Sequence, residues 1–127
     1  MTRDEREVIV RARNWLSKPG QWIQGSSART GRGSATYTTN ENATCWCLTG
    51  AIHRAACEIT GAELADRAPT LTEGNREFFR LYRGAIITVA KYIPDLDHAG
   101  VFVWNDRPNR TQEEVVALLD HILAVES

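Results

Sequence analysis

Apolar positions recur at helical spacing in four stretches of this chain, and a long polar run separates the first two. Val8, Ile9, Ala12, Trp15 and Leu16 form one stripe. Thr2 and Glu5 before it have the spacing of a capping box, in which each side chain satisfies a free backbone N–H at a helix start. Pro19-Gly20 stops this first helix. Gln21 to Thr44 then reads QWIQGSSARTGRGSATYTTNENAT, where Tyr37 is the one large hydrophobe after Ile23. Such a stretch has too little apolar surface to bury a core of its own, and structureless loops of this length in compact domains are usually functional or disordered. Thr and Tyr favour strands, so a small hairpin through Ala35-Thr36-Tyr37-Thr38-Thr39 is the alternative.

A second helix is expected from Cys45 to Thr60, with Thr44 or Asn42 as N-cap and Gly61 as the residue that ends it. Leu48, Ile52, Ala55 and Ile59 share one face of it, and Trp46, Gly50, His53 and Cys57 make a second stripe. Two stripes predict packing on more than one side, with Gly50 and Ala51 admitting a close neighbour. A third helix is expected from Thr70, with Glu73 completing the capping spacing, to Ile93, and Glu63 to Ala68 add a helical turn before it. Its broad face carries Leu71, Phe78, Leu81, Tyr82, Ala85, Ile86, Val89 and Ile93. Val101-Phe102-Val103-Trp104 reads as a short strand, and Asn105-Asp106-Arg107-Pro108-Asn109 as a turn. Thr111 and Glu114 open a last helix with Val115, Val116, Leu118, Leu119, Ile122 and Leu123 inward. The fold class this predicts is mainly α: a single domain, residues 1–127, of about four helices with a long polar loop and the option of a small β-hairpin.

Composition narrows the function classes. A net charge of −1 argues against a general nucleic-acid binder. No apolar run approaches the roughly 18 residues that cross a membrane, and the charged start MTRDEREVIV lacks the apolar core of a signal peptide. A cytoplasmic protein is therefore expected. The three cysteines fall within Cys45–Cys57, which fits reduced thiols better than a disulfide framework.

Several blocks together carry a resemblance: Trp22-x-Gln24-Gly25 with Ala28-Arg29, Cys47-x-x-Gly50-Ala51, Trp104-Asn105-Asp106, and Arg110-Thr111-x-x-Glu114-Val115. The chain resembles a family of small uncharacterised proteins of bacteria and their phages, classed as a domain of unknown function. The resemblance implies a cytosolic helical domain and a phage or prophage origin, and it implies no activity.

Three constellations could carry chemistry. Cys47, read at the third helical position of the second helix, would have its thiolate stabilised by the helix end, as thiol hydrolases and transferases require. Gln24 would donate to an oxyanion, but His53 lies nearly two turns along the same helix, too far to serve as base, and His98 or His121 would have to come through the fold. His53 and Cys57, at i and i+4, are a workable half of a zinc site that Asp97, His98 or His121 would have to complete. The simpler reading is two residues on a helix flank, so no metal or cofactor is expected. Finally, Trp22, Gln24, Arg29, Trp104, Asn105, Asp106 and Arg110 are polar and aromatic residues in loops, where binding residues concentrate. Arginine forks hold phosphate or carboxylate, and tryptophans offer stacking faces. The expected function is therefore a small binding or interaction protein with a pocket, between the Gln21–Thr44 loop, the start of the second helix and the Trp104–Thr111 turn, for a small anionic or nucleotide-like ligand. The alternatives are a Cys47-dependent hydrolase or transferase, and a module that inhibits a host enzyme as protein partner.

Overall fold

A computed structural model describes residues 1–62, 76–94 and 100–126. Among them are five helices, α1 (Arg3–Leu16), α2 (Leu48–Thr60), α3 (Arg76–Lys91), α4 (Gly100–Asp106) and α5 (Gln112–Val125), and three strands, β1 (Ala28–Thr30), β2 (Ala35–Thr36) and β3 (Ala43–Trp46). The domain is mainly helical, as the apolar periodicity requires.

α1 and α2 form the centre. α1 lies against α2, α3 and α5, while α2 also packs on α3 and α4. Val8, Ile9, Ala12 and Leu16 of α1 meet Leu48, Ile52 and Ala55 of α2 in one cluster that Phe78, Val89, Val115, Leu119 and Ile122 complete. Burial of this kind is worth about 2 kcal/mol for each large apolar side chain. The double stripe on α2 has the expected consequence, since Gly50, Ala56 and Cys57 are buried along with Leu48 and Ile52. Both complete capping boxes form: the Thr2 and Glu5 pair opens α1, and the Thr111 and Glu114 pair opens α5. Gly61 closes α2 with φ +72°, the left-handed conformation its missing side chain allows. The arginines of α1 do more than solvate it: Arg13 Nε meets Asp120 of α5 at 2.7 Å, and Arg11 bridges Glu7 and Glu58.

Three expectations are corrected. The second helix does not begin at Cys45, and neither Thr44 nor Asn42 caps it. Ala43–Trp46 is instead the third strand, antiparallel to β1, and Cys47 is the N-cap. Sheet pairing overrides helical spacing because Arg29 and Ala28 provide backbone partners for Cys45 and Trp46. Second, Val101–Trp104 is not extended but lies in α4. Its buried residues, Val101 and Asn105, are four apart, and one turn of helix is what carries Asn105 to the end of α2. Third, the Gln21–Thr44 stretch is not structureless. β1 pairs with β2 across a four-residue turn, and β3 closes a sheet of order β2-β1-β3. The hairpin expected through Thr39 ends as a strand at Thr36. The start of the third helix near Thr70 with Glu73, the turn at Glu63–Ala68, Leu71, Asp97 and His98 lie outside the described residues.

Candidate functional site

The polar residues picked from the sequence come together, but chiefly on one another. Asn105 is fully buried, and its side chain joins four groups. Its Oδ1 accepts from Trp22 Nε1 at 2.7 Å and from the Leu48 backbone N–H at 3.0 Å. Its Nδ2 donates to Ile23 O at 3.1 Å and to Asp106 Oδ1 at 3.0 Å. Gln24 Nε2 donates to the Asn105 and Arg107 carbonyls, and the Gly25 N–H donates to Asp106. Arg110 lies over the Trp104 ring, 3.9 Å from its centre, with Nε on Trp104 O and one terminal nitrogen on Glu114. Arg29 stands apart on β1, where it donates to Gly33 O and closes the β1–β2 turn. The hydrogen-bonding groups of Asn105 are all engaged within the chain, so these residues form a clasp between the Trp22–Gly25 segment and the end of α4.

The clasp and Cys47 together finish the N-terminus of α2. A helix start leaves backbone N–H groups without helical partners. Here the Leu48 N–H donates to Asn105, the Gly50 N–H to Cys47 Sγ at 3.3 Å, and the Cys47 N–H to Ser27 O at 3.2 Å. Cys47 is fully buried. Burial raises its pKa, outweighing the Thr49 hydroxyl and Gly50 N–H that favour the thiolate. The helix end thus does not give a thiolate poised near neutral pH. His53 turns elsewhere: its Nδ1 is hydrogen-bonded to Thr38 Oγ1 at 2.5 Å and lies 3.9 Å from Cys57 Sγ. His121 stacks edge-on against Tyr92. No group of three or more metal-ligating side chains occurs among the described residues, so the His53–Cys57 pair has no described third ligand.

Beside Cys47, between the Gln21–Thr44 stretch and the start of α2, opens a cavity of about 320 Å³ whose lining includes none of the expected ligand residues. One wall is the sheet side, with Ser26, Ser27, Thr36, Tyr37 and Thr38. The other is Thr49, Gly50 and His53 of α2, with Tyr82 of α3. The local sequence explains how these meet. Gly50 lets the Ser27 backbone cross α2, since a Cβ there would lie 2.0 Å from Ser27 O. Arg54 draws in the turn after β2 by donating to Thr38 O and Asn40 O, and Trp46 Nε1 donates to Thr38 O as well. His53 packs edge-on against Phe78 and Tyr82, with ring centres 4.8 and 5.3 Å away. Burial lowers its pKa to about 4, so the imidazole is neutral at pH 7. Burial also raises the pKa of the Tyr82 phenol, and nearby Cys47 adds to the effect. The signal for this wall was the second stripe of α2, in which Gly50 and His53 are three apart.

A small mainly α domain with a three-stranded antiparallel sheet folded over the end of its central helix is the class these elements define. The model of the family of unknown function DUF6197 matches residues 1–124, and the chain belongs to that family. No curated protein and no solved structure matches it. No helix among the described residues is long and apolar enough to cross a membrane.

Proposed function

We propose that this protein is a small-ligand-binding protein whose site is the cavity between the sheet and the start of α2. The observation that carries the reading is the composition of that cavity. Hydroxyl-bearing Ser27, Thr38 and Thr49, with His53 and Tyr82, line a concave space of about 320 Å³. Ligand sites have this makeup, a few placed polar groups on an apolar and aromatic wall. The expected anion-binding residues Arg29 and Arg110 are hydrogen-bonded within the chain at Gly33, Trp104 and Glu114, so the reading moves the ligand from those arginines to His53. Trp22, Gln24, Trp104, Asn105 and Asp106 then support the site from behind.

The test is a thermal-shift screen of charged and neutral metabolites, with binding mapped by NMR on the wild type. The reading expects a saturable ligand whose shifts centre on His53, Thr49 and Tyr82. A complete library without one such ligand, or ligands that map only elsewhere, would sink it.

A second reading, a Cys47-dependent hydrolase or transferase, draws on one observation. Cys47 Sγ already has a hydroxyl and a backbone N–H at 3.3 Å. Burial and the absence of a described histidine partner weigh against it. Iodoacetamide at pH 8 decides: Cys47 is expected to react at least about tenfold slower than a free cysteine, because the protonated, enclosed thiol is a poor nucleophile. Labelling as fast as a free thiol would restore the enzyme reading.

A further inference from the structure

Resting on the cavity reading above, we infer that the site selects an uncharged planar heterocycle with both donors and acceptors on its rim, of the nucleoside class, and discriminates against its phosphorylated form. Four features carry this.

First, no Lys, Arg, Asp or Glu is among the described residues that line the cavity. The cation beside it, Arg54, is held by Thr38 O, Asn40 O and Glu58. The carboxylate near Cys47, that of Asp106, accepts from Gly25 N and Asn105 Nδ2. A phosphate or carboxylate entering the cavity would lose water and gain no counter-charge from these walls, and that is costly.

Second, apart from the His53 imidazole, the polar side chains that line the cavity are hydroxyl-bearing, Ser27, Thr49 and Tyr82 among them. A hydroxyl both donates and accepts. A wall of hydroxyls suits a rim that alternates donors and acceptors, as a nucleobase does, better than an anion that only accepts. Thr49 Oγ1 also meets Cys47 Sγ, which fixes where that hydroxyl sits.

Third, the aromatic groups are arranged for a flat partner. Tyr82 and His53 are already in edge-to-face contact, and Tyr37, 52% exposed, lines the same space with an unburied ring. A planar ligand covering Tyr37 would bury that apolar face. Fourth, about 320 Å³ is at the small end of ligand pockets, enough for a base or nucleoside and short for an extended dinucleotide. The neutrality of the half-buried imidazole keeps this wall uncharged at pH 7.

The experiment is isothermal titration of the full chain with adenosine, guanosine, cytidine and uridine, with the four corresponding monophosphates, and with sorbitol as a neutral nonplanar control. At least one nucleoside is expected to bind at least about tenfold tighter than its monophosphate, the equivalent of about 1.4 kcal/mol. Thr49→Val is expected to weaken that nucleoside about fivefold, the worth of one hydrogen bond. Tyr37→Ala, an exposed position, serves as a second variant that does not threaten the fold and is expected to weaken it similarly. Binding of monophosphates as tight as nucleosides, equal binding of sorbitol, or no nucleoside binding at all would overturn the inference. The cavity reading itself survives any of these if the wider screen finds another ligand on His53 and Thr49, and falls with it if the screen finds none.

Discussion

His53 makes acid pH a specific probe of how the sheet docks on α2. Its half-buried imidazole packs against Thr38, Phe78, Tyr82 and Cys57, and burial lowers its pKa from 6.5 to about 4. The folded chain thus takes up this proton less readily than the unfolded chain. Between those two values acidification protonates mainly unfolded molecules, so the contribution to stability is intact above pH 6.5, shrinks as pH falls, and levels off below about 4. The gap is about 2.5 pH units, at about 1.4 kcal/mol each, or about 3 kcal/mol in the acid limit. Between pH 7 and pH 5 the same relation gives a loss of about 2 kcal/mol. Urea unfolding followed by tryptophan fluorescence measures it. Wild type is expected to lose about 2 kcal/mol more than His53→Gln over that interval. Each chain is compared with itself, so the cost of the substitution cancels, as do the carboxylates common to both. Equal losses within about 0.5 kcal/mol, or an imidazole NMR titration near 6.5, would refute the reasoning that the described walls enclose an uncharged histidine.

Other substitutions probe the clasp and the crossing. Asn105→Ala leaves the Leu48 N–H, Trp22 Nε1 and Ile23 O without this partner. At about 1 kcal/mol or more for each stranded group, a loss of about 3–5 kcal/mol in urea unfolding is expected, and a loss under about 1 would show the clasp to be dispensable. Gly50→Ala puts a Cβ 2.0 Å from a backbone oxygen of Ser27. A helical Gly→Ala change ordinarily gains up to about 1 kcal/mol, so a measured loss of about 2 kcal/mol or more would mark the crossing, and a gain would deny it.

The helices were legible because their signals are local. Capping boxes at Thr2 and Thr111 and the apolar stripes of α1 and α5 depend on spacings of three and four, and they are found where the pattern places them, except that Val116 faces an outer groove instead of the core. The failures are places where a distant partner decides. Cys45 and Trp46 suit a helix face as well as a strand, and their pairing with Ala28 and Arg29, some sixteen residues away, settles the matter. Val101–Trp104 has strand-like residues, yet the inward positions of Val101 and Asn105 follow a helical turn. The clasp residues were recognised as a group, since their polar and aromatic types stood out in turns. Their use was not legible, because whether Asn105 faces a ligand or the Leu48 N–H depends on where α4 lies. A pocket between the Gln21–Thr44 stretch and the start of α2 was expected, but the residues that line the cavity were less visible. Ser, Thr and Tyr in a polar run look like solvated loop until Gly50 and Arg54 show what holds that run against α2.

On the proposed reading, the clasp bears on ligand binding through the helix end it completes. Three separated segments supply the acceptors there: Ser27 from the approach to β1, Cys47 from the cap, and Asn105 from α4. With those N–H groups satisfied inside the chain, the side chains of Thr49 and His53 on the first two turns of α2 are left to face the cavity. A ligand seated on them bridges α2 to the Ser26–Thr38 wall, the contact that Gly50 and Arg54 maintain without it. Binding should therefore stabilise the junction by mass action, by about 3 kcal/mol at a free concentration of roughly 100 times Kd. That gain should persist in Thr111→Ala, which loosens only the cap of α5, because the junction lies on α2 and the sheet. Asn105→Ala removes one of the three supports and should weaken the ligand as well as the fold. Unchanged affinity in Asn105→Ala would mean that the clasp and the cavity are independent.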